Sequence, residues 1–399
     1  GETTTINVGR DGYGRTNSLG VNTAGPVTQQ AFVFDDAGEV SHVDVEHQGV
    51  ELAHVALGMD AAGRRDQLVV GSVVRQFGFD QRSSLSTPNA DGHDDVSPAM
   101  VAGRAWAWRA DNTVSVVNDV LAGVARFDVD VLGRVTGVSR DKSSIAAQAG
   151  AATSVNGSNV ASELYGYSAA GMLTSIAAPE LGAQDTVGGV ALARSARSAQ
   201  SSQSAQSAGV ETRGTLVTRV GKTSYTYDKL GRVIETVTRR SSLKPLVKRF
   251  SYAGSTGQVT GFSSSDAPGV RWVYSYDGLG RRVAKTCLNT TTDEVVSRQV
   301  FAYVGNDLVA EHTTAGDAGA GVVGRVWVQD PGTGEMIGQI NLNTTNYDTA
   351  SGVDQWSQAQ VDAVFYALVA DLAGAPQELI DTEQGSVVGH VTQSLFGRR

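Results

Sequence analysis

The sequence predicts an all-β protein, an array of antiparallel β-hairpin repeats that forms a curved strip, a shell or part of a shell. Three observations predict this fold class. The chain of 399 residues contains 47 Gly and only 8 Pro. Val and Thr are frequent, and these β-branched residues favour short strands over helices. A short motif of aromatic residues and a turn recurs along the chain, which is the signature of a repeat architecture.

The repeated motif is clearest in YTYDKLGRV at residues 225–233 and in YSYDGLGRRV at 274–283. Two aromatic residues stand two positions apart, Asp follows them, Gly comes three residues after Asp, and Arg and Val come next. Further copies are FVFDDAGEV at 32–40, LGMDAAGRR at 57–65, FDVDVLGRV at 127–135, YGYSAAGML at 165–173 and FSYAGSTGQV at 250–259. The motif positions predicted to be structural are Phe32, Phe34, Asp35, Gly38, Asp60, Gly63, Phe127, Asp130, Gly133, Arg134, Tyr165, Tyr167, Gly171, Tyr225, Tyr227, Asp228, Gly231, Arg232, Tyr274, Tyr276, Asp277, Gly280, Arg281, Asp371, Gly374 and Pro376.

Four other segments keep half of the motif. GRDGYGR at 9–15 keeps the turn, whereas FGFDQRSSL at 77–85, WAWRADNTV at 106–114 and FAYVGNDLVAE at 301–311 keep the aromatic residues. The interval between turn glycines is 24 residues from Gly14 to Gly38, 25 from Gly38 to Gly63, 26 from Gly231 to Gly257 and 23 from Gly257 to Gly280. A period near 24 residues therefore relates about ten copies.

One copy of the motif has the chemistry of a β-hairpin. Alternate residues of a strand face the same side, so both aromatic rings lie on one face. The Asp carboxylate accepts backbone N–H groups at the first position of the turn. Gly adopts the positive φ that closes a type I turn followed by a bulge. We therefore predict that Asp228 and Asp277 cap turns and have no catalytic role.

Units of the form Y-x-Y-D-x-x-G-R-V at this period resemble the YD repeats of Rhs proteins, of the B and C components of bacterial Tc toxin complexes, and of teneurins. The segment at 365–399 resembles the Rhs core segment, and VWVQDPGTGEMIGQI at 326–340 is similar to the strand pair that precedes it. The positions that carry this second resemblance are Phe365, Tyr366, Asp371, Gly374, Pro376, Asp381, Gly385, Phe396, Gly397 and Arg398.

The resemblance implies a function as well as a fold. In these families the repeats build a long β-strip that spirals into a hollow shell around a toxin or an unfolded cargo. We therefore expect a non-enzymatic scaffold of a bacterial polymorphic toxin or secreted surface protein, whose partners are an enclosed toxin or unfolded polypeptide, a second shell-forming subunit or a host surface. One alternative is a cell-surface or glycan-binding adhesion module. Another is part of an autoproteolytic Rhs toxin whose aspartyl cleavage motif lies beyond residue 399.

Three parts of the chain are expected. Residues 1–183 form a YD-repeat array, and residues 216–399 contain YD repeats that lead into the Rhs-core-like segment. Between them, residues 184–215 form a flexible insertion, because the stretch 191–214 is rich in Ser, Ala and Gln and lacks aromatic residues. A weak amphipathic helix over this stretch is the alternative.

Composition excludes several classes of function. The net charge is −9 and the sequence pI is about 5.2, whereas a nucleic-acid-binding protein usually carries a basic field. The basic segment at 239–249 is either a solvated hairpin tip or a local binding patch. No apolar run is long enough to span a membrane. The single cysteine, Cys287, excludes an intramolecular disulfide and a zinc site built from several thiolates. We expect a secreted or cell-surface location.

The histidine-rich segment HVDVEHQGVELAH at 42–54 is the best candidate for metal chemistry. On a strand, His42, Asp44 and Glu46 share one face, which suits either a metal site or the wet outer face of a half-buried hairpin. We favour the outer face and predict neither metal ligands nor cofactors. NADGHDD at 89–95 lacks the spacing of a calcium-binding loop, and is predicted to be an ordinary loop.

Two further candidates have structural interpretations. Trp106 and Trp108 lie on one strand face, where they either pack against neighbours or form a platform for a sugar or a partner. DPGTG at 330–334 resembles the cleavage motif of Rhs toxins but lacks its Leu, and we expect a turn there.

Overall fold

The protein is described from a computed structural model, over residues 4–22, 27–47, 49–71, 73–76, 78–79, 85–86, 104–119, 121–141, 161–177, 208–315, 323–343, 365–371 and 375–391. Within these ranges all regular elements are strands, which are arranged in antiparallel order. The prediction of an all-β array of antiparallel hairpins is confirmed. Among the described residues, no helix has the length and hydropathy of a membrane span.

Three sheets contain the strands. The first sheet consists of β1 (Thr5–Arg10), β2 (Thr16–Asn22), β3 (Val27–Phe34), β4 (Val40–His47), β5 (Val50–Met59), β6 (Arg65–Val70) and β7 (Val73–Gln76). A short pair consists of β8 (Gly78–Phe79) and β9 (Leu85–Ser86). The long sheet consists of β10 (Arg104–Trp108), β11 (Val114–Asp119), β12 (Gly123–Val129), β13 (Val135–Asp141), β14 (Ala161–Tyr167), β15 (Leu173–Ala177), β16 (Ala208–Arg213), β17 (Leu216–Val220), β18 (Thr223–Tyr227), β19 (Val233–Thr238), β20 (Leu246–Tyr252), β21 (Val259–Ser264), β22 (Val270–Tyr276), β23 (Arg282–Asn289), β24 (Val295–Val304), β25 (Asp307–Ala315), β26 (Val323–Gln329), β27 (Met336–Asn343), β28 (Phe365–Ala370), β29 (Pro376–Asp381) and β30 (Ser386–His390).

Strand order follows chain order in the first sheet and in the long sheet. Each strand therefore pairs with its neighbours in sequence, as expected when hairpins follow one another without crossovers. Most contacts are consequently made within a hairpin or between successive hairpins.

A β-bulge recurs beside the second aromatic position of the motif. In the pair β3–β4, Phe34 lies opposite Val40 but Val33 lies opposite His42, so Ser41 is the extra residue. The Ser41 hydroxyl donates to the Val33 carbonyl at 3.1 Å. Thr136 occupies the same position in β12–β13, and its hydroxyl donates to a carbonyl of the opposite strand in the same way. A Ser or Thr after the motif Val thus satisfies a carbonyl at the bulge.

The chain divides into two compact units. Unit 1 comprises Gly1–Gly78, Thr226–Val237 and Ser241–His390, and unit 2 comprises Phe79–Tyr225, Thr238–Arg240 and Val391–Arg399.

Unit 1 has a core in which strands of the first sheet pack against strands of the long sheet. The first sheet contributes Val21, Phe32, Val43, Val45 and Val55, and β24–β28 contribute Ala310, Val326, Val328, Ile340 and Phe365. Burial of apolar area between the two layers stabilises this unit.

Polar contacts also join the two layers of unit 1. The Gln30 side chain donates to the Trp327 carbonyl at 3.0 Å. The guanidinium of Arg65 lies 2.8 Å from the Asp330 carboxylate, and both side chains are nearly buried. Arg75 pairs with Glu335 at 2.6 Å. These contacts fix the register of one layer on the other.

Unit 2 has a smaller core centred on Ala125, Val138 and Tyr165. The Tyr165 hydroxyl donates to the buried Glu163 carboxylate, which also accepts from Arg140 at 3.1 Å. Burial, followed by the bond to Glu163, raises the pKa of the Tyr165 phenol.

The structure corrects the C-terminal boundary of the predicted insertion at 184–215. Strand β16 occupies 208–213, with Val210 opposite Val220 and Glu211 opposite Arg219 on β17. Gly214 closes this hairpin with a φ of 62°. The hairpin is short and lacks aromatic residues, so composition did not distinguish it from the Ser-rich stretch before it. Residues 184–207 lie outside the described ranges.

Candidate functional site

The turn around Asp228 shows the geometry of one repeat. The Asp228 Oδ1 accepts the backbone N–H groups of Leu230 at 2.8 Å and Arg232 at 3.0 Å. The Gly231 N–H donates to the Asp228 carbonyl at 3.1 Å. Gly231 has a φ of 77°, a conformation that side chains with a Cβ disfavour. Asp and Gly therefore define this turn together.

Other copies of the turn repeat this geometry. A carboxylate oxygen accepts backbone N–H groups at Asp11, Asp35, Asp60, Asp130 and Asp277. The turn glycine has a positive φ at Gly14, Gly38, Gly63, Gly133, Gly171 and Gly280. Ser168 replaces Asp in one copy, and its hydroxyl accepts the Met172 N–H at 3.1 Å.

Two copies differ from the sequence interpretation. WAWRADNTV forms a complete turn in which Arg109 replaces Asp and Asn112 replaces Gly, with an Asn112 φ of 64°. In FSYAGSTGQV the residue with positive φ is Gly254, and the turn runs from Ala253 to Gln258. The two intervals counted from Gly257 were therefore counted from a glycine that is three residues away from the turn glycine with positive φ.

The motif Arg at position 232 links its turn to the next hairpin. The Arg232 guanidinium lies 2.7 Å from the Asp228 Oδ2, and its carbon lies 4.7 Å from the centre of the Tyr252 ring. Its Nη1 donates to the Gly254 carbonyl at 2.7 Å. In return, the Tyr252 hydroxyl donates to the Val233 carbonyl at 2.7 Å. Arg232 and Tyr252 thus hold two successive copies together.

The same link recurs in both units. The Arg guanidinium lies over the aromatic ring of the following copy in the pairs Arg15–Phe34, Arg134–Tyr167 and Arg281–Tyr303. The Tyr hydroxyl reaches back to a carbonyl of the preceding copy in the pairs Tyr167–Val135, Tyr276–Val259 and Tyr303–Arg282. Sequence reasoning missed this link, although the signal was present as an Arg four residues after Asp.

The pKa values of the turn carboxylates indicate a structural role. The pKa of Asp228 is lowered, most strongly by the hydrogen bond from the backbone N–H of Arg232; desolvation opposes this effect, and the Arg232 side chain and the backbone N–H of Leu230 lower the pKa further. The pKa of Asp130 is lowered mainly by the Arg134 side chain. Such carboxylates stay ionised, whereas a general acid or base near neutral pH needs a raised pKa.

The second feature is an aromatic face on strands β20–β24 of unit 1. Phe250 lies opposite Phe262, and Phe262 lies opposite Trp272. Residues two apart on a strand share this face. The aromatic face comprises Phe250, Tyr252, Phe262, Trp272, Tyr274, Tyr276, Phe301 and Tyr303, each of which is half-buried.

Cations flank the rings of the aromatic face. The Lys285 ammonium lies 4.3 Å from the Trp272 ring centre, and the Arg282 guanidinium lies 4.7 Å from that of Tyr274. Cys287 lies opposite Trp272, where burial raises the pKa of its thiol. A thiol held in its neutral form is a packing residue and a poor nucleophile.

The predicted aromatic residues lie in different environments. Phe32 is buried in the unit 1 core, and Phe34 packs against that core. Phe127, Tyr165 and Tyr167 belong to the unit 2 core. Tyr225 and Tyr227 are half-buried on β18, as Tyr274 and Tyr276 are on β22.

Among the C-terminal motif residues, Asp371 makes the same kind of contact as the Asp residues of the other copies. The Asp371 carboxylate accepts the Ala375 N–H at 2.9 Å, as the carboxylates of the other turns do. Pro376 begins β29 opposite Ala370 and is exposed. Gly374 lies outside the described residues, as does the loop at 89–95.

Asp330 of DPGTG has a structural environment. Its Oδ1 accepts the Gly332 N–H at 2.9 Å, and its Oδ2 pairs with Arg65. The carboxylate thus caps the β26–β27 turn and joins the two layers of unit 1. Both functions keep its oxygens engaged in hydrogen bonds, as expected of a turn.

Comparison with known proteins shows a shared fold. No protein-family model matches the chain, and no curated protein matches it. Three similar solved structures are TcdB2-TccC3, TcdB2-TccC3 without its hypervariable C-terminal region, and the Photorhabdus luminescens Tc holotoxin pore. Their TM-scores are 0.58, 0.58 and 0.59, each at 12% identity. The chain shares the fold of a segment of these Tc toxin structures.

The match covers very different shares of the two chains that are compared. The match covers 99% of the chain but only 18% of each of the three solved chains. The chain therefore spans about a fifth of the length of the solved chains that it matches. Because identity is low, the similarity concerns the fold alone.

Proposed function

We propose that this protein is a non-enzymatic β-scaffold that shields a cargo polypeptide, as part of a secreted bacterial toxin or surface protein. The cargo is a toxin or another chain held without its native fold. The enclosure is completed by further repeats or by a second shell-forming subunit. The scaffold works by binding and sequestration.

The aromatic face is the observation that carries this proposal. Unfolded polypeptides expose apolar side chains without a fixed shape, so a surface that holds them needs apolar area more than it needs a shaped pocket. Half-buried aromatic rings supply such area, and Tyr and Trp also offer polar atoms to the backbone of the cargo. The Arg–Tyr links between copies keep these rings in place, which lowers the entropy lost on binding.

Charge and similarity add support. A net charge of −9 favours a basic cargo, because complementary potentials increase the rate of association. The solved relatives are toxin complexes, and one was studied without its hypervariable C-terminal region. A hypervariable region is expected where one scaffold carries different cargoes.

A binding experiment with paired double variants tests the proposal. Phe262 and Trp272 are directly paired across β21 and β22 on the aromatic face. Ser263 and Arg271 are directly paired on the other face of the same two strands. We expect Phe262→Ser with Trp272→Ser to weaken binding of a fluorescent, reduced and alkylated polypeptide by more than about tenfold. Ser263→Ala with Arg271→Ser should bind as the parent does. Anisotropy measures the affinity, and circular dichroism checks the fold.

Equal affinity of the two double variants would contradict the proposal. Absence of binding by the parent chain would contradict it as well.

A further inference from the structure

His42, Asp44 and His54 form a cluster on the side of β4 and β5 that faces away from the unit 1 core. Asp44 lies directly opposite His54, and His42 precedes Asp44 by two residues on the same strand face. Each side chain offers one donor atom, and these three atoms all lie within 4.8 Å of one another. Their neighbours Val43, Val45 and Val55 point the other way, into the core.

The donor atoms converge on a common space. The His54 Nδ1 lies 2.6 Å from the Asp44 Oδ1, and the His42 Nε2 lies 3.6 Å from the Asp44 Oδ2. The two imidazole ring centres are 4.8 Å apart. The residues opposite the cluster on the paired strands are apolar: Ala31 lies opposite Asp44, and Val33 and Ala56 lie opposite His42. The three donor atoms are thus close enough to one another to be ligands of a single ion.

Ser41 fixes the orientation of the His42 ring. The Ser41 hydroxyl donates its single proton to the Val33 carbonyl, so its oxygen accepts the N–H of His42 Nδ1 at 3.0 Å. The other ring nitrogen, His42 Nε2, faces the Asp44 carboxylate. A metal-binding His has the same arrangement, with its second ring nitrogen held by a hydrogen bond.

We propose that His42, Asp44 and His54 bind a divalent transition-metal ion of the Zn²⁺ class. Two imidazoles and one carboxylate suit Zn²⁺, Ni²⁺ or Cu²⁺, whereas Ca²⁺ and Mg²⁺ require more oxygen donors. Three protein ligands leave a coordination position for water or for a donor from another molecule. The inference does not depend on the proposed scaffold function.

The structure replaces one residue of the metal site that was considered from the sequence. Glu46 shares a strand face with His42 and Asp44, but it lies opposite Glu51 and outside the cluster. The third ligand comes from the next strand, at His54. The sequence did not give the hairpin register that places His54 beside Asp44.

Calorimetric titration of the tag-free chain with Zn²⁺ tests the proposal. We expect one Zn²⁺ per chain at this site, and a Co²⁺ absorption spectrum that shows nitrogen and oxygen ligands. His42→Ala and His54→Ala should each weaken binding by more than about 100-fold, and Ser41→Ala by about tenfold. Glu211→Gln removes an exposed carboxylate from a hairpin of unit 2 and should bind Zn²⁺ as the parent does.

All three ligand side chains are partly exposed, so these variants are expected to fold. A parent chain that takes up no Zn²⁺ would overturn the proposal. Uptake that is unchanged in a double variant with His42→Ala and His54→Ala would overturn it too, because the metal would then bind elsewhere.

Discussion

At the residue scale, the turn residues were predictable but their link to the next copy was not. The spacing of Asp228 and Gly231 matches a known turn, and turn chemistry is local in sequence. Arg232 also contacts Tyr252 and Gly254, which are about 20 residues away. Sequence spacing does not show which side chains of adjacent hairpins meet, so this second contact of Arg was not inferred.

The turn glycines should tolerate Asn better than Ala. Gly133 has a φ of 76°, and no atom lies within 4 Å of an added Cβ, so conformational strain is the main cost of substitution. We expect Gly133→Ala to lower the free energy of unfolding of unit 2 by about 1 kcal/mol. Gly133→Asn should cost less, because Asn112 already occupies the equivalent position. Urea unfolding measures both, and equal losses would contradict this explanation.

Arg232 should not be replaceable by Lys. Lys lacks the planar fork that binds Asp228 and lies over the Tyr252 ring at the same time. We expect Arg232→Lys to lower the free energy of unfolding of unit 1 by about 1–2 kcal/mol. A double-mutant cycle with Tyr252→Leu should give a coupling energy of about 0.5–1 kcal/mol.

Arg249 provides the matched control for Arg232. It pairs with Glu235 at 2.8 Å, but 67% of its side chain is exposed. Arg249→Lys should therefore change stability little, since exposed ion pairs contribute weakly. A zero coupling energy between Arg232 and Tyr252 would show that their contact does not link the copies.

At the element scale, the sequence predicted the hairpins but not the layers. The motif repeats give strand order directly, because successive hairpins pair in chain order. The packing of the first sheet on β24–β28 was not predicted, because copies that are buried by another layer have the same sequence motif as copies that are not. Phe32 is buried while Phe250 is half-buried, although both occupy the first aromatic position. Which copies are covered depends on contacts between residues far apart in sequence.

The Arg65–Asp330 pair should stabilise the contact between the layers. Asp330→Asn leaves the nearly buried Arg65 without its charged partner, and we expect a loss of about 3 kcal/mol in the stability of unit 1. A double variant with Arg65→Met should recover part of the loss, because the unpaired charge is removed. Urea unfolding of the single and double variants tests this. A fully additive effect would contradict a direct interaction.

His47 should make unit 1 sensitive to acid. Burial lowers its pKa to about 4, from about 6.5 in the unfolded chain. Between these values the unfolded state binds more protons, so stability falls as the pH drops from about 6.5 to about 4, by up to about 3 kcal/mol. His47→Gln should flatten this part of the profile, whereas the exposed His54→Gln should leave this burial effect in place. Urea midpoints across the pH range test this, and an unchanged slope in His47→Gln would contradict it.

At the scale of the whole molecule, the repeat predicted the fold class, and the comparison with Tc toxin structures agrees with it. Function is less accessible from sequence. A repeat motif predicts how strands pair. Whether a face of the sheet can bind a ligand depends on whether other parts of the protein cover it. The aromatic face was defined only when register aligned Phe250, Phe262 and Trp272 across three strands.

The most direct test of the central claim is photo-crosslinking from adjacent positions on β21. A photoreactive phenylalanine analogue at position 262 points along the aromatic face, and the same analogue at 263 points to the opposite face. Each protein is irradiated with the unfolded polypeptide, and adducts are counted by mass spectrometry. Cargo binding to the aromatic face predicts adducts mainly from position 262. Equal yields from the two positions, or a higher yield from 263, would contradict it.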